Sequence, residues 1–291
     1  MNNIGRREFL GWTASGLAAA LLLPRQVAAQ ETGSKLRLSA CDWSLQAGGP
    51  DGLEIAKRVG LDGLEVSAGG PVDKLRIADP NYRKQYKDNM QKCGLVVSSV
   101  AMGLLNDAPL ATDPRGPAWL EQTIEATKDL GAKVILLAFF GKGDLRKGNE
   151  IKSADLDVVV GRLKDAAPKA AEAGVILGVE NTLSAEQNLA ILDRVKSEAV
   201  RVYYDIGNST GAGYDVPAEI RQLGDRMCEI HFKDGPHYLG EGEVRMEPVA
   251  EALHAIKYNG WIVLETSIPS KDRDADFKRN ADYVRKLMGM A

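Results

Sequence analysis

The sequence predicts an α/β domain, a closed (β/α)8 TIM barrel occupying residues 30–291. Three observations predict it. Eight short apolar runs recur along the chain, each the length of a buried strand. An amphipathic, helix-like stretch follows each run. Gly marks the joins, as in KRVGLDGLEV, QKCGLVVSSV, KDLGAKVILLAF, AEAGVILGVE and KYNGWIVLE. Helical and strand patterns that alternate throughout imply βα units and a parallel sheet. Eight such units fill the ~250 residues usual for this barrel. An open doubly wound sheet is the alternative, and its dinucleotide-binding version is disfavoured because no G-x-G-x-x-G loop follows the first strand.

Taken in order, the predicted strands are LRLSACDWS, DGLEVS, LVVSSVAM, VILLAFF, VILGVE, VRVYYDI, CEIHFK and WIVLE. Each is a short apolar run that reads as a buried strand. Helices are predicted over 52–60, 81–93, 117–131, 153–173, 185–197, 216–224, 247–258 and 273–288. Gly60, Gly94, Gly131, Gly174 and Gly260 fit the left-handed residue that ends a helix and turns the chain into the next strand.

Residues 1–29 read as an export signal rather than as part of the fold. Arg6 and Arg7 precede Phe9 and Leu10, and the apolar segment GWTASGLAAALLL is too short to span a bilayer. The RR-x-F-L pattern resembles a twin-arginine signal, and the small residues before Gln30 suit cleavage after Ala29. The expected location is therefore periplasmic or otherwise exported, with no stable membrane span once the signal is removed. With a net charge of −3 over 291 residues, the chain lacks the basic footprint of a nucleic-acid binder. Its three cysteines, Cys41, Cys93 and Cys228, form no CxxC pair. Neither a disulfide framework nor a thiolate zinc site is indicated, and Cys93 and Cys228 read as packing residues.

The last four predicted strands each end in a residue that binds metals: Glu180 in VILGVE, Asp205 in VRVYYD, His231 in CEIHF and Glu265 in WIVLE. A carboxylate or imidazole at the end of a buried strand is costly unless something pairs with it. In a barrel, the C-terminal strand ends converge on the rim where active sites are built. The oxygen and nitrogen donors suit Mn²⁺, Mg²⁺, Co²⁺ or Zn²⁺, and do not by themselves choose among them. Strand alternation places Gly178 and Ile176 inward with Glu180, Tyr203 and Arg201 with Asp205, Glu229 and Met227 with His231, and Val263 and Trp261 with Glu265. Arg201 and Glu229 are then expected to pair in the lower barrel.

The motifs GVEN, YYDIGN, EIHFKD, LGEGEV and VLET resemble the xylose isomerase-like barrel family of sugar isomerases, epimerases and dehydratases, D-tagatose 3-epimerase among them. The resemblance implies that Glu180, Asp205, His231 and Glu265 bind one divalent ion, with Mn²⁺ expected. It also implies that Glu180 and Glu265 face each other across the substrate as acid and base. Epimerases of the family often carry His three residues after the metal Asp, where Asn208 stands, and Arg about six residues after the metal His, where His237 stands. Both positions contact substrate in the relatives, so substrate recognition is expected to differ from theirs. Lys233, Glu65 and Trp43 are expected on the same rim as further substrate contacts. Asp234 would orient a hydroxyl or enter the loop, Glu241 would help close the rim, and His254 is expected to be structural. The resemblance allows a homo-oligomer, although no stretch of sequence marks an interface.

The expected activity is a metal-dependent sugar epimerase or isomerase acting by proton abstraction beside a carbonyl. The substrate would be a non-phosphorylated sugar or cyclitol, since no Gly-rich phosphate cradle accompanies a basic residue on the late loops. A keto-glycoside or keto-cyclitol lyase using the same acid/base pair is the alternative. A nonenzymatic carbohydrate-binding barrel is the reading from another class.

Overall fold

A computed structural model describes residues 36–148 and 150–290. The export signal expected at 1–29 lies outside the described residues. Eight parallel strands close into a barrel in strictly sequential order. They are β1 Arg37–Cys41, β2 Gly63–Ser67, β3 Val96–Met102, β4 Val134–Ala138, β5 Ile176–Glu180, β6 Val200–Asp205, β7 Met227–Phe232 and β8 Trp261–Leu264. All eight coincide with the predicted runs.

The helices are α1 Gly52–Arg58, α2 Pro80–Cys93, α3 Gly116–Asp129, α4 Ser153–Ala173, α5 Ala185–Val195, α6 Ile206–Gly211, α7 Val216–Leu223, α8 Met246–Ala255 and α9 Arg273–Met288. Eight of these match the predicted helices. The six-residue α6 was not expected, because the carboxylate that caps it belongs to the preceding strand. A two-residue hairpin, Arg146–Lys147 with Glu150–Ile151, was also missed. Among the described residues no helix is long and apolar enough to cross a membrane. The helix-ending glycines behave as predicted at Gly60, Gly94, Gly131 and Gly174, which all have positive φ. Gly260 does not; Lys257 (φ 55°) takes the left-handed turn after α8 instead.

Two apolar layers result from the alternation of side chains. The larger lies between strands and helices and includes Leu38, Leu64, Val100, Leu137, Leu177, Tyr204 and Ile262. The smaller fills the barrel interior with Cys41, Ala101, Leu136, Tyr203, Trp261 and Val263. Trp261, Val263 and Tyr203 point inward as expected, but Met227 belongs to the outer layer. The register explains why. Val202 pairs with Met227 and Tyr203 with Glu229, so Cys228 is an extra residue that breaks the alternation.

The expected Arg201–Glu229 pair does not form. The bulge lifts Glu229 level with Tyr203. Arg201 instead donates to the carbonyls of Glu198 (3.3 Å) and Asp225 (3.1 Å) at the barrel's lower edge. Glu229 stays buried, and that burial pushes its carboxyl well above the usual range.

Candidate metal centre

Parity of the late strands brings four side chains to one point above the interior layer. Glu180 closes β5, Asp205 closes β6, His231 lies on β7 and Glu265 follows β8 directly. One donor atom from each lies within 4.8 Å of all the others. Glu180, Asp205 and His231 are buried, while the Glu265 side chain is 20 % exposed. His231 Nδ1 faces the cluster, 3.0 Å from Glu180 Oε1, 3.5 Å from Glu265 Oε2 and 3.7 Å from Asp205 Oδ2.

The other face of the imidazole is tied down from below. His231 Nε2 lies 2.9 Å from Glu65 Oε1. Glu65 also accepts from Ser99 Oγ (2.6 Å) and Tyr203 OH (2.9 Å), so its carboxylate is fully occupied and fixed. Tyr203 packs edge-on against the imidazole at 4.6 Å, and Trp43 does the same from above at 6.2 Å. With Nε2–H donated to Glu65, the Nδ1 lone pair is free for the cluster. That is the carboxylate–histidine arrangement that orients metal-ligating imidazoles.

Asp205 divides its two oxygens. Oδ1 accepts the Asn208 amide at 2.7 Å and caps α6. Oδ2 is buried and makes no hydrogen bond, although Lys233 Nζ lies 3.1 Å away. Lys233 donates instead to Glu265 Oε2 at 2.7 Å. Its stem lies over Gly207, where a β-carbon would collide with it. Glu265 Oε1 accepts Trp43 Nε1–H at 3.0 Å.

The electrostatics follow from this crowding. Burial pushes Glu180 up to about 7, opposed by His231 and reinforced by the neighbouring carboxylates Glu265 and Asp205. Burial acts on Asp205 too, but the nearby His231 imidazole and the Lys233 charge outweigh it and draw the group down to about 2. Burial would lower His231, yet Cys41, Glu180 and Glu65 around it raise it well above its ordinary value. Burial likewise works to raise Glu65, and the His231, Ser99 and Tyr203 contacts reverse the balance and lower it. Three carboxylates converging on one imidazole, with a buried Asp205 oxygen that makes no hydrogen bond, make a donor set that a divalent cation fits.

Beside Glu265 opens a pocket of about 420 Å³. Its polar members are Trp43, Ser67, Asn106 and Glu265; Ala101, Leu104, Leu136, Ala138 and Phe140 make an apolar wall. Several sequence expectations change here. Glu65 does not contact this space: it is wholly buried beneath His231, because it stands two residues before the end of β2, whose last residue, Ser67, lines the pocket instead. His237 lines a separate cavity with Gly207, Thr210 and Glu243 and is exposed. The loop is folded away by Asp234, whose carboxylate accepts the amides of Gly240, Gly242 and Val244; Asp234 is a loop-entry residue. Asn208 is half-buried beside Asp205 and does not line the pocket at Glu265. Glu241 pairs with Arg279 on the surface, and His254 is exposed on α8. Trp43 and Lys233 sit on the rim as expected. Sequence reasoning missed Ser99 and Cys41, the latter 3.4 Å from His231 Nε2. Cys41 closes the first strand at an inward position, which was the available signal.

The fold is a closed (β/α)8 barrel with a candidate metal centre at its rim, and the comparisons give its family. Residues 53–287 match the Xylose isomerase-like TIM barrel family, and the chain belongs to it. Among curated proteins, it is 25% identical over 203 residues to a 2-epi-5-epi-valiolone 7-phosphate 2-epimerase of Actinoplanes sp. (69% of this chain, 73% of the relative). It is 27% identical over 242 residues to a putative L-ribulose-5-phosphate 3-epimerase of Escherichia coli (74% and 82%). Among solved structures, it resembles an L-ribulose 3-epimerase (TM-score 0.72, 22% identity, 87% of this chain and 95% of that one). It also resembles the 3-keto-D-glucoside 4-epimerase of E. coli (TM-score 0.72, 18% identity, 87% and 100%). A probable 3-DHS dehydratase of Bacillus anthracis shares the fold as well (TM-score 0.68, 14% identity, 85% and 98%).

Proposed function

We propose that the protein is an exported, divalent-metal-dependent epimerase or isomerase of a non-phosphorylated sugar or cyclitol. It belongs with the isomerases and epimerases, as do both curated relatives described above. The observation that carries the finer reading is the convergence of Glu180, Asp205, His231 and Glu265 with Asp205 Oδ2 left without a hydrogen bond. Those four residues would hold the ion, and Mn²⁺ suits their oxygen and nitrogen donors. A bound divalent ion would polarise a carbonyl and its neighbouring hydroxyl and lower the cost of negative charge there.

The chain's own residues do the rest. Glu265 is the partly exposed carboxylate, aimed by Trp43 Nε1–H and the Lys233 ammonium. Glu180 lies across the cluster, buried, with Oε1 3.0 Å from His231 Nδ1. Taking a proton from the carbon beside a carbonyl with one carboxylate and returning it from the other inverts that centre, and groups poised near the working pH do this best. Lys233, held between Asp205 and Glu265, is placed to donate to a developing alkoxide. Glu65, with Tyr203 and Ser99, keeps His231 in the tautomer that presents Nδ1.

Absence of a phosphate from the substrate is supported by the pocket at Glu265, whose lining residues include no Lys, Arg or His. Export is supported by Arg6–Arg7 and the apolar segment after them. A lyase is the second reading, favoured by the Lys233 ammonium, which could protonate a β-leaving oxygen after the same proton abstraction. Incubating the Mn²⁺-loaded chain with keto-sugars in D2O tests both. Deuterium beside the carbonyl with a new epimer supports the epimerase, and release of the β-substituent supports the lyase. Sugar binding with no exchange, unaffected by metal removal, would leave a carbohydrate-binding barrel.

A further inference from the structure

The cluster and the pocket beside it are chemically unlike, and only Glu265 belongs to both. A substrate that reaches the ligands and extends past Glu265 enters the pocket. The wall it meets is Ala101, Leu104, Leu136, Ala138 and Phe140. None of these side chains offers a donor or an acceptor.

The few polar groups lie at the edge of that wall and are partly engaged. Ser67 Oγ donates to Asp42 at 2.6 Å, Asn106 Oδ1 accepts the Phe140 amide at 2.9 Å, and Trp43 Nε1 donates to Glu265. A free sugar carries a hydroxyl on nearly every carbon. Laid along this wall, those hydroxyls would lose water and gain no partner, which is unfavourable. An aryl or alkyl group would lose nothing polar there and would bury apolar surface instead. A phosphate or other anion would find no Lys, Arg or His among the residues that line the pocket.

We infer that this pocket is a subsite for an apolar substituent, so that the substrate is a keto-glycoside with an aryl or alkyl aglycone. The inference rests on the epimerase or lyase reading above and specifies the substrate class of that site. The oxidised ring reaches Glu180 and Glu265, and the aglycone lies against Phe140, Leu104 and Ala138. Keto-glycosides arise by oxidation of a ring hydroxyl, so a sugar-oxidising reaction must precede this one.

The test uses matched pairs on the full Mn²⁺-loaded chain. Phenyl and methyl keto-glucosides are compared for solvent-deuterium exchange by NMR. Unoxidised phenyl and methyl glucosides, which lack the carbonyl, are compared for binding by calorimetry. The expected result is a preference for phenyl of ~10- to 100-fold in kcat/KM and in affinity, the range set by burying one aromatic ring. Ala138→Phe, which fills the wall, should shrink that ratio toward one, with circular dichroism confirming the fold. Equal affinity and equal exchange for the two pairs would overturn the subsite while leaving the epimerase or lyase reading intact. A phenyl preference in binding, with no exchange on any keto-sugar, would keep the subsite and overturn that reading.

Discussion

The two halves of the barrel rim have opposite chemistry. The half formed by β5–β8 carries Glu180, Asp205, His231 and Glu265, with Lys233 among them. The half formed by β3 and β4 and the segments that follow presents Ala101, Leu104, Leu136, Ala138 and Phe140. Both halves are built from similar βα units, so the fold does not impose the difference. It lies in the residue that each strand places at its last inward position: Ala101 and Ala138 on one side, three carboxylates and an imidazole on the other. The β5–β8 half concentrates charge that must be paired, which fixes geometry; the β3–β4 half leaves space, which selects shape. Chemistry and recognition can therefore change independently.

The sharpest way to test that division is to remove the acid/base pair. Glu265→Gln and Glu180→Gln should each reduce solvent-deuterium exchange by ~10²- to 10⁴-fold. Binding of an unoxidised phenyl glucoside in the apolar half should fall far less, measured by calorimetry on the same samples. Equal losses in both measurements would mean that the two halves are not separable.

Next in size is Glu65, the one carboxylate that serves the β5–β8 half from outside it. Glu65→Gln keeps the shape but weakens the acceptor for His231 Nε2–H. Mn²⁺ affinity should fall ~10- to 100-fold, with exchange recovering at saturating metal. Metal titrations followed by activity would read this directly. Loss of exchange that no metal concentration restores would instead make Glu65 part of the reacting set.

Much of this was legible in the sequence, and the misses share a cause. Strand ends and helix spans follow from apolar runs and local spacing, and Glu180, Asp205, His231 and Glu265 stand out because polar residues rarely end such runs. Depth is not local. Glu65 faces inward as Glu180 does, yet it stands two residues before the end of its strand and so lies beneath the cluster rather than on the rim. The bulge at Cys228 is equally invisible, since it exists only in the pairing of β6 with β7. That single extra residue moves Met227 to the helix layer and separates Arg201 from Glu229. His237 was misplaced because its loop is shaped by Asp234 holding three backbone amides, a pattern with no periodicity to read.

Protonation offers a third measurement, in which the charged half takes the largest share alongside the buried Asp42 and Glu229 carboxyls, both also raised by burial. Glu180 rises from 4.5 to about 7 on folding, so the folded chain holds that proton more tightly than the unfolded chain does. The stability this gives is fully present below pH 4.5 and is lost as pH rises through about 7. His231, raised well above its ordinary value, acts in the same direction over a higher window. Asp205, lowered from 3.8 to about 2, acts the opposite way, but only between those values, well below neutral pH. Between about pH 5 and 8 the metal-free protein should therefore lose stability as pH rises, by about 3 kcal/mol at most from Glu180. Mn²⁺ competes with these protons, so the rise in Tm that it produces should be larger at about pH 8 than at pH 5. Thermal melts with and without Mn²⁺ at both pH values check this; a metal-induced rise that is larger at low pH would contradict the protonation pattern.

The smallest expected effect concerns His237, which stands where related epimerases place a substrate-contacting Arg. Its side chain belongs to the cavity lined by Gly207, Thr210 and Glu243, separate from the pocket that contains Trp43 and Glu265. His237→Ala should therefore leave exchange and the phenyl preference within about twofold, the range usual for surface substitutions away from a site. The loop should also keep its shape, since only the His237 backbone amide, bonded to the Asp234 carbonyl, contributes to it. Kinetics on the variant would settle the matter. A fall of tenfold or more in kcat/KM would mean that the Asp234 loop swings over the reacting centre when substrate binds, and recognition would then no longer be confined to the apolar half of the rim.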